Sequence, residues 1–216
     1  MVEKKVFASR EEWLQARNNR IGGSDAAAII GLNPYISNVD LWEIKTGRRQ
    51  QEDISEKPYV KYGTEAEQYL RELFKLDHPE YIVFYEENNM FLNDAFPWAH
   101  ASLDGWLRRE DGSHGIWECK TTNILNSQQK EKWDNRIPDN YYCQILHYFM
   151  VTEFEFAILK AQLKYDYGDS VMCVTKEYRI ERAEVEQDIR YLTEKEKEFW
   201  ECVKEDRKPT LILPRI

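Results

Sequence analysis

The sequence predicts an α/β domain in which helices flank a mixed central β-sheet. Apolar residues recur at helical spacing in some stretches and alternate in others, in the order helices, at least three strands, a helix, two strands and a last helix. An Asp111-Gly112 pair lies between two β-like segments, where a hairpin would turn. The chain has 216 residues, 42% of them hydrophobic and 32% charged, which suits one globular domain with a sizeable core. No repeat or low-complexity linker divides it.

Ser9-Arg10-Glu11-Glu12 has the form of a capping box, opening a short helix through Trp13, Leu14 and Ala16 to about Arg17. Gly22-Gly23 makes a bend. Ser24 or Asp25 then caps a helix over the alanine-rich run, and Gly31 ends it. After the Asn33-Pro34 break, Ser37 starts a helix that carries Leu41, Trp42 and Ile44 to Gly47. The polar stretch from Gln50 to Pro58 reads as a loop. From Tyr62 to Leu76, the residues Ala66, Tyr69, Leu70, Leu73 and Phe74 form a helical stripe.

Strands are expected at Tyr81 to Tyr85, Met90 to Leu92, Ala99 to Leu107 and Gly115 to Thr121, and a helix from Asn140 to Val151. Phe154 to Leu163 and Val171 to Ile180 are further strands joined at Tyr167-Gly168-Asp169, before a long helix from Arg182 to about Glu205. One domain over 1–216 is expected: a helical part over 1–76, a sheet-and-helix part over 77–180, and a C-terminal helix and tail over 181–216.

The chemistry concentrates around the Asp-Gly turn. Counting outward from Asp111 along both arms brings Asp104 nearly opposite Glu118, give or take a register slip of one residue. Side chains alternate along a strand, so Glu118 and Lys120 share one face, Cys119 takes the other, and Ser102 and Asp104 share a face. Two carboxylates held close together repel unless a cation lies between them, and hard oxygen donors suit Mg²⁺ or Mn²⁺. An adjacent ammonium would complete a hydrolytic set by serving an attacking hydroxide or developing negative charge. On its own an Asp with a Glu-x-Lys is ordinarily a solvated face.

Composition excludes several alternatives. A formal net charge of −9 argues against a nucleic-acid coat but not against a nucleic-acid enzyme, because a local basic channel and bound cations set the field at the site. Much of the acid lies in Glu181 to Glu205. Cys119, Cys143, Cys173 and Cys202 are scattered, and the four histidines lack metal-ligand spacing. With no apolar run of membrane-spanning length and no signal-peptide core in Met1 to Arg20, a cytoplasmic protein without a membrane partner is expected.

Five motifs in order carry a resemblance: Arg17 with Ile21-Gly22-Gly23-Ser24-Asp25-Ala26-Ala27, Gly63-Thr64-Glu65-Ala66-Glu67, Ser102-Leu103-Asp104-Gly105, Glu118-Cys119-Lys120, and Tyr142-Cys143-Gln144. Together they resemble the YqaJ-type viral recombinase family, which includes lambda-type exonucleases, within the PD-(D/E)xK nuclease superfamily. The resemblance implies a restriction-endonuclease-like core and a Mg²⁺-dependent 5′-to-3′ exonuclease acting on double-stranded DNA ends in phage or prophage recombination. It further implies a homotrimeric ring and a single-strand annealing protein as partner.

Residue by residue, Asp104 and Glu118 would be metal ligands, with Glu67 joining directly or through water. Lys120 would position or activate water, and Gln144 would stand beside it. Arg17, Ser24 and Ser102 match a 5′-phosphate pocket, with Arg20 a substitute for Arg17. Two ions about 4 Å apart would serve the entering and leaving oxygens, and the Cys119 carbonyl is a further candidate ligand. Where the superfamily usually has proline before the aspartate, this chain has Leu103, a departure that bears on backbone stiffness.

Other residues carry two readings. Trp42, Trp106, Tyr141 and Tyr148 are core by default, though either tryptophan would serve as an apolar wedge at a duplex end. Arg48-Arg49 with Lys57 and Lys61 is either solvated charge or a DNA-backbone contact. The tail Lys208 to Pro214 looks exposed and apolar. Rival functions are an endonuclease of repair or restriction type and a catalytically silent DNA-end-binding module.

Overall fold

The first three helices start on local capping chemistry in the computed structural model, which describes residues 1–214; the last two residues of the expected tail lie outside them. Ser9 accepts the Glu12 N–H at 3.2 Å and opens α1 (Arg10–Asn18). The cap of α2 (Gly23–Ile29) differs in part from expectation: Ser24 does not cap it, and Asp25 does so from inside the helix, as its third residue. Gly22 holds the N-cap position, and Asp25 reaches back to its N–H at 2.9 Å. Ser24 therefore sits in the first turn with its side chain exposed. Gly31, at φ +75°, lies just past the helix end, where a left-handed residue lets the chain reverse.

Ser37 and Asp40 cap α3 (Asn38–Lys45) reciprocally. The fourth helix, α4 (Pro58–Asp77), begins four residues before Tyr62, because Pro58 occupies the first turn, where its fixed φ suits a helix and its missing N–H costs nothing.

The strands are β1 (Val2–Val6), β2 (Ile82–Phe84), β3 (Asn89–Asn93), β4 (Gly105–Arg108), β5 (His114–Ile124), β6 (Phe156–Asp166) and β7 (Val171–Glu181). The main sheet has the order β2-β4-β5-β6-β7 and is mixed: β5 and β6 are parallel, the other pairs antiparallel. The parallel pair is joined through α5 (Ser127–Glu131) and α6 (Asp139–Thr152), while α7 (Glu186–Lys204) follows β7 after a short 3₁₀ turn. A separate antiparallel pair joins β1 to β3. The sequence does not signal β1, whose Val-Glu-Lys-Lys-Val lacks alternation, nor α5, only five residues long.

The expected strand from Ala99 to Leu107 is interrupted. Only Gly105–Arg108 joins the sheet, while Ala99 and Ala101 form isolated bridges to Ile21 and Phe91. Between them the Asn89 side chain takes both backbone groups of Leu103, its N–H at 2.9 Å and its carbonyl at 2.8 Å. A side chain thus occupies the groups a ladder would use, so Ser102 and Asp104 do not share a strand face as expected.

Helix α6, buried from Cys143 to Thr152, lies against one face of the sheet with α2 and α7 behind it. Helix α4 covers the other face, packing Leu70 and Phe74 against Trp117, Cys119 and Phe156. The alternation along β5 is as expected: Ile116 belongs to the α6 side and Cys119 to the α4 side. Trp42 and Trp106 are both buried core.

Arg48, Arg49, Lys57 and Lys61 are each engaged in surface ion pairs with neighbouring carboxylates. The tail is clamped by Asn38, whose side chain bonds Thr210 O and Ile212 N at 2.8 and 2.9 Å, while Leu211 and Leu213 stay exposed. Among the described residues no helix is long and apolar enough to cross a membrane.

Candidate active site

Gly105 pairs with Trp117, so one step further out Asp104 stands opposite Glu118 where β4 begins. Asp104 is half-buried in the bend before that strand, and its Oδ2 accepts the Cys119 N–H at 3.0 Å. Arg71 of α4 steadies the bend by donating to the Asp104 carbonyl at 2.9 Å.

Glu118 is 1% exposed. Its Oε1 accepts from Lys120 Nζ at 2.6 Å and from Gln144 Nε2 at 2.8 Å, and the same Gln144 amide donates to the Tyr148 hydroxyl at 2.8 Å. Oε2 of Glu118 is buried with no partner. Burial first, and then the charge of Asp104, push the Glu118 carboxyl up to about 8; the same two causes raise Glu67, on α4, to about 7. Burial opposes the charge of Lys120, but Glu118 and Asp104 outweigh it and hold the ammonium well above its usual range. Cys119 lines the cleft, but burial and the surrounding carboxylates keep its thiol protonated far above neutral pH.

This donor set fits a divalent cation. Three acids crowd one cleft, two resist ionisation, and one carboxylate oxygen is left without a partner. A cation is the group that would relieve all three conditions. Among the described residues no three His, Cys, Asp or Glu side chains have already closed into a coordination shell; protein donors hold Asp104 and Glu118 in place.

The cleft, of about 330 Å³, is lined by all the expected residues except Arg20. Arg20 turns its guanidinium back to the Ala16 carbonyl at 3.5 Å. Arg17, Ser24 and Ser102 do line it, and Trp13, which the sequence does not mark as a site residue, links Arg17 to Ser102. The Arg17 guanidinium lies 4.2 Å from the centre of the Trp13 ring, and Trp13 Nε1 donates to Ser102 Oγ at 3.2 Å and to the Asn89 carbonyl at 3.0 Å. Arg10, one turn earlier on α1, also reaches the cleft. The signal for Trp13 was its spacing four residues before Arg17, which puts both on one helix face. Tyr148 bears the same relation to Gln144; it is core, as expected, yet presents its hydroxyl to the site.

The two glycines before Ser24 are explained by close approach. A Cβ at Gly23 would lie 2.5 Å from the Tyr148 ring and 2.9 Å from Gln144 Cγ, so the start of α2 seats directly on the glutamine that holds Glu118. Gly23→Ala is expected to destabilise the fold by about 1–3 kcal/mol through overpacking and to displace Gln144. Thermal unfolding combined with an activity assay checks it; an unchanged melting temperature and rate would rule out the tight seat.

Behind the cleft lies a buried pair, His147 and Glu196, each with a fully buried side chain. His147 Nδ1 meets Glu196 Oε1 at 2.7 Å and Nε2 meets the His100 carbonyl at 2.8 Å, tying α6, α7 and the segment leading to Asp104 together. Burial opposes the charge on His147, but Glu196 outweighs it and raises the imidazole above its usual value. Glu196→Leu is expected to cost about 3 kcal/mol or more, because it strands the histidine. A raised histidine stabilises most below its unfolded value of about 6.5 and loses that contribution as pH rises through the folded one. The stability gap between wild type and Glu196→Leu should therefore narrow above about pH 6.5 in denaturant titrations; a widening gap would contradict the pairing.

A family model, the YqaJ-like viral recombinase domain, matches residues 12–155. A Bacillus subtilis (strain 168) protein described as uncharacterized protein YqaJ is 34% identical over 158 residues, 70% of this chain and 45% of that protein. The chain thus spans about half the length of the curated relative it matches. Among solved structures it is similar to an alkaline exonuclease (LHK-Exo) from Laribacter hongkongensis, with a TM-score of 0.60, 16% identity, and coverage of 91% of this chain and 93% of that one. It is also similar to a phage related exonuclease from Haemophilus somnus 129PT, with a TM-score of 0.52, 12% identity, and coverage of 87% and 96%.

The fold is accordingly restriction-endonuclease-like. The family match runs through α1, α2, α4, β3, the bend before β4, β5 and α6, which supply cleft residues from Trp13 to Tyr148. The chain belongs to the YqaJ-like viral recombinase domain family.

Proposed function

We propose that the chain is a Mg²⁺-dependent 5′-to-3′ exonuclease on linear duplex DNA, acting in phage or prophage recombination in the host cytoplasm. The observation that carries this reading is the meeting, in one cleft, of an acid cluster with a lysine and a set of phosphate-type donors, Arg17, Ser24 and Ser102. The first group suits cleavage of a phosphodiester; the second suits the extra charge of a terminal phosphate. Family membership and the dAMP held by LHK-Exo support it.

Asp104, Glu118 and Glu67, with the Cys119 carbonyl, are the residues that would hold one or two divalent ions. When bound, these supply hydroxide at neutral pH and offset charge on the entering and leaving oxygens. Gln144 fixes the Glu118 carboxylate through its amide and is itself held by Tyr148. Lys120 is a compact point charge kept protonated beside the reacting phosphate, where it orients water and offsets developing charge. Arg17 grips the terminal phosphate and so fixes which bond lies over the acids.

The deciding experiment is digestion of a linear duplex labelled separately at each end, with and without a 5′ phosphate and with Mg²⁺ or a chelator. Mononucleotides should appear from the 5′ label first, and chelation should abolish them. Cleavage of covalently closed circular duplex would favour an endonuclease instead. A ring of three copies and a single-strand annealing partner belong to the same proposal; a single-chain mass under digesting conditions would remove the ring.

A further inference from the structure

His100 lines the cleft beside Arg17 and Ser24 yet is only 2% exposed. Its backbone is pinned on both sides, the N–H to Ile21 O at 2.9 Å and the carbonyl to His147. Its ring packs against Gly22, where a Cβ would fall 2.9 Å from Nε2. A histidine buried for packing alone satisfies its ring nitrogens, as His147 does. Nδ1 of His100 is buried without a partner.

Charged groups surround this ring. Arg17 of α1, the following Arg20, Lys45 of α3 and His147 of α6 act on it as cations. Asp25 of α2 pairs with Lys45 at 2.7 Å, and Glu196 of α7 pairs with His147. Burial first, and then these cations, hold the imidazole well below its usual value and hence neutral. An entering anion offsets the cations' share of that field. A terminal phosphomonoester brings a second negative charge that an internal phosphodiester lacks.

We propose that His100 is a specificity-determining residue that recognises the terminal phosphate of a DNA end. The proposal rests on the exonuclease reading above and deepens it. On binding, the imidazole takes a proton from solvent, so that ring and phosphate become a charge-assisted pair; no covalent bond changes. Because the bound state then holds one proton more than the free state, preference for phosphorylated ends must fall as pH rises, over the range above about pH 6 where the phosphate stays dianionic.

The test compares wild type with His100→Asn on linear duplexes bearing a 5′ phosphate or a 5′ hydroxyl. It reads kcat/KM with Mg²⁺, and affinity by fluorescence anisotropy with Ca²⁺ in its place. His100→Asn is expected to lose roughly tenfold or more on phosphorylated ends and about twofold at most on hydroxyl ends. Wild-type preference should decline with pH while that of the variant stays flat. Equal losses on both ends, no loss on phosphorylated ends, or a wild-type preference independent of pH would overturn the proposal, and the last arm needs no variant. Failure of wild type to digest either duplex would count against the exonuclease reading, while the binding arm still decides the role of His100.

Discussion

Lys120→Ala is expected to lower hydrolysis of linear duplex DNA by about 10³-fold or more while the protein stays folded. The ammonium is the nearest cation to Glu118, at 2.6 Å, and removing it leaves a buried carboxylate with the Gln144 amide as its remaining donor. The carboxyl then rises further towards its neutral form, so one substitution removes both the point charge and the anion beside it. Glu118→Gln separates the two effects. It preserves size but removes one charge from a like-charge cluster, so it should be as inactive as Lys120→Ala yet melt no lower than wild type when divalent cations are absent. A variant at either position that retained wild-type rates would refute the assignment of the site.

Arg17→Ala is expected to weaken action on 5′-phosphorylated ends by about 10- to 100-fold and to leave 5′-hydroxyl ends nearly unchanged, the scale of one charge-assisted bidentate contact. Arg17 is held by the face of Trp13, whose own N–H binds Ser102. The guanidinium is therefore pre-positioned before DNA arrives, which limits the ordering cost of binding. Arg17→Lys should not restore the preference, because an ammonium neither stacks on the indole as a plane nor forks onto two phosphate oxygens. Paired initial rates on the two end types check this. Equal losses on both would mean that Arg17 serves the whole duplex and not its terminus.

Features that depend on short-range rules are legible along the chain. The Asp111-Gly112 turn set the register that brings Asp104 opposite Glu118, since side-chain alternation leaves few choices once the turn is placed. The Ser9 and Ser37 caps and the Gly31 stop were readable because each bonds or bends within a few residues. The core helix from Asn140 to Val151 was readable from its apolar run.

Contacts distant along the chain were decided by tertiary structure alone. Asn89 removes Leu103 from the sheet across 14 positions, and Trp13 reaches Ser102 across 89. His147 meets Glu196 across 49, and Gly23 meets Tyr148 through a close approach that no local pattern announces. A buried polar group must find some partner, but local sequence does not say which, because several candidates satisfy the same requirement. Only packing selected the set that surrounds Glu118.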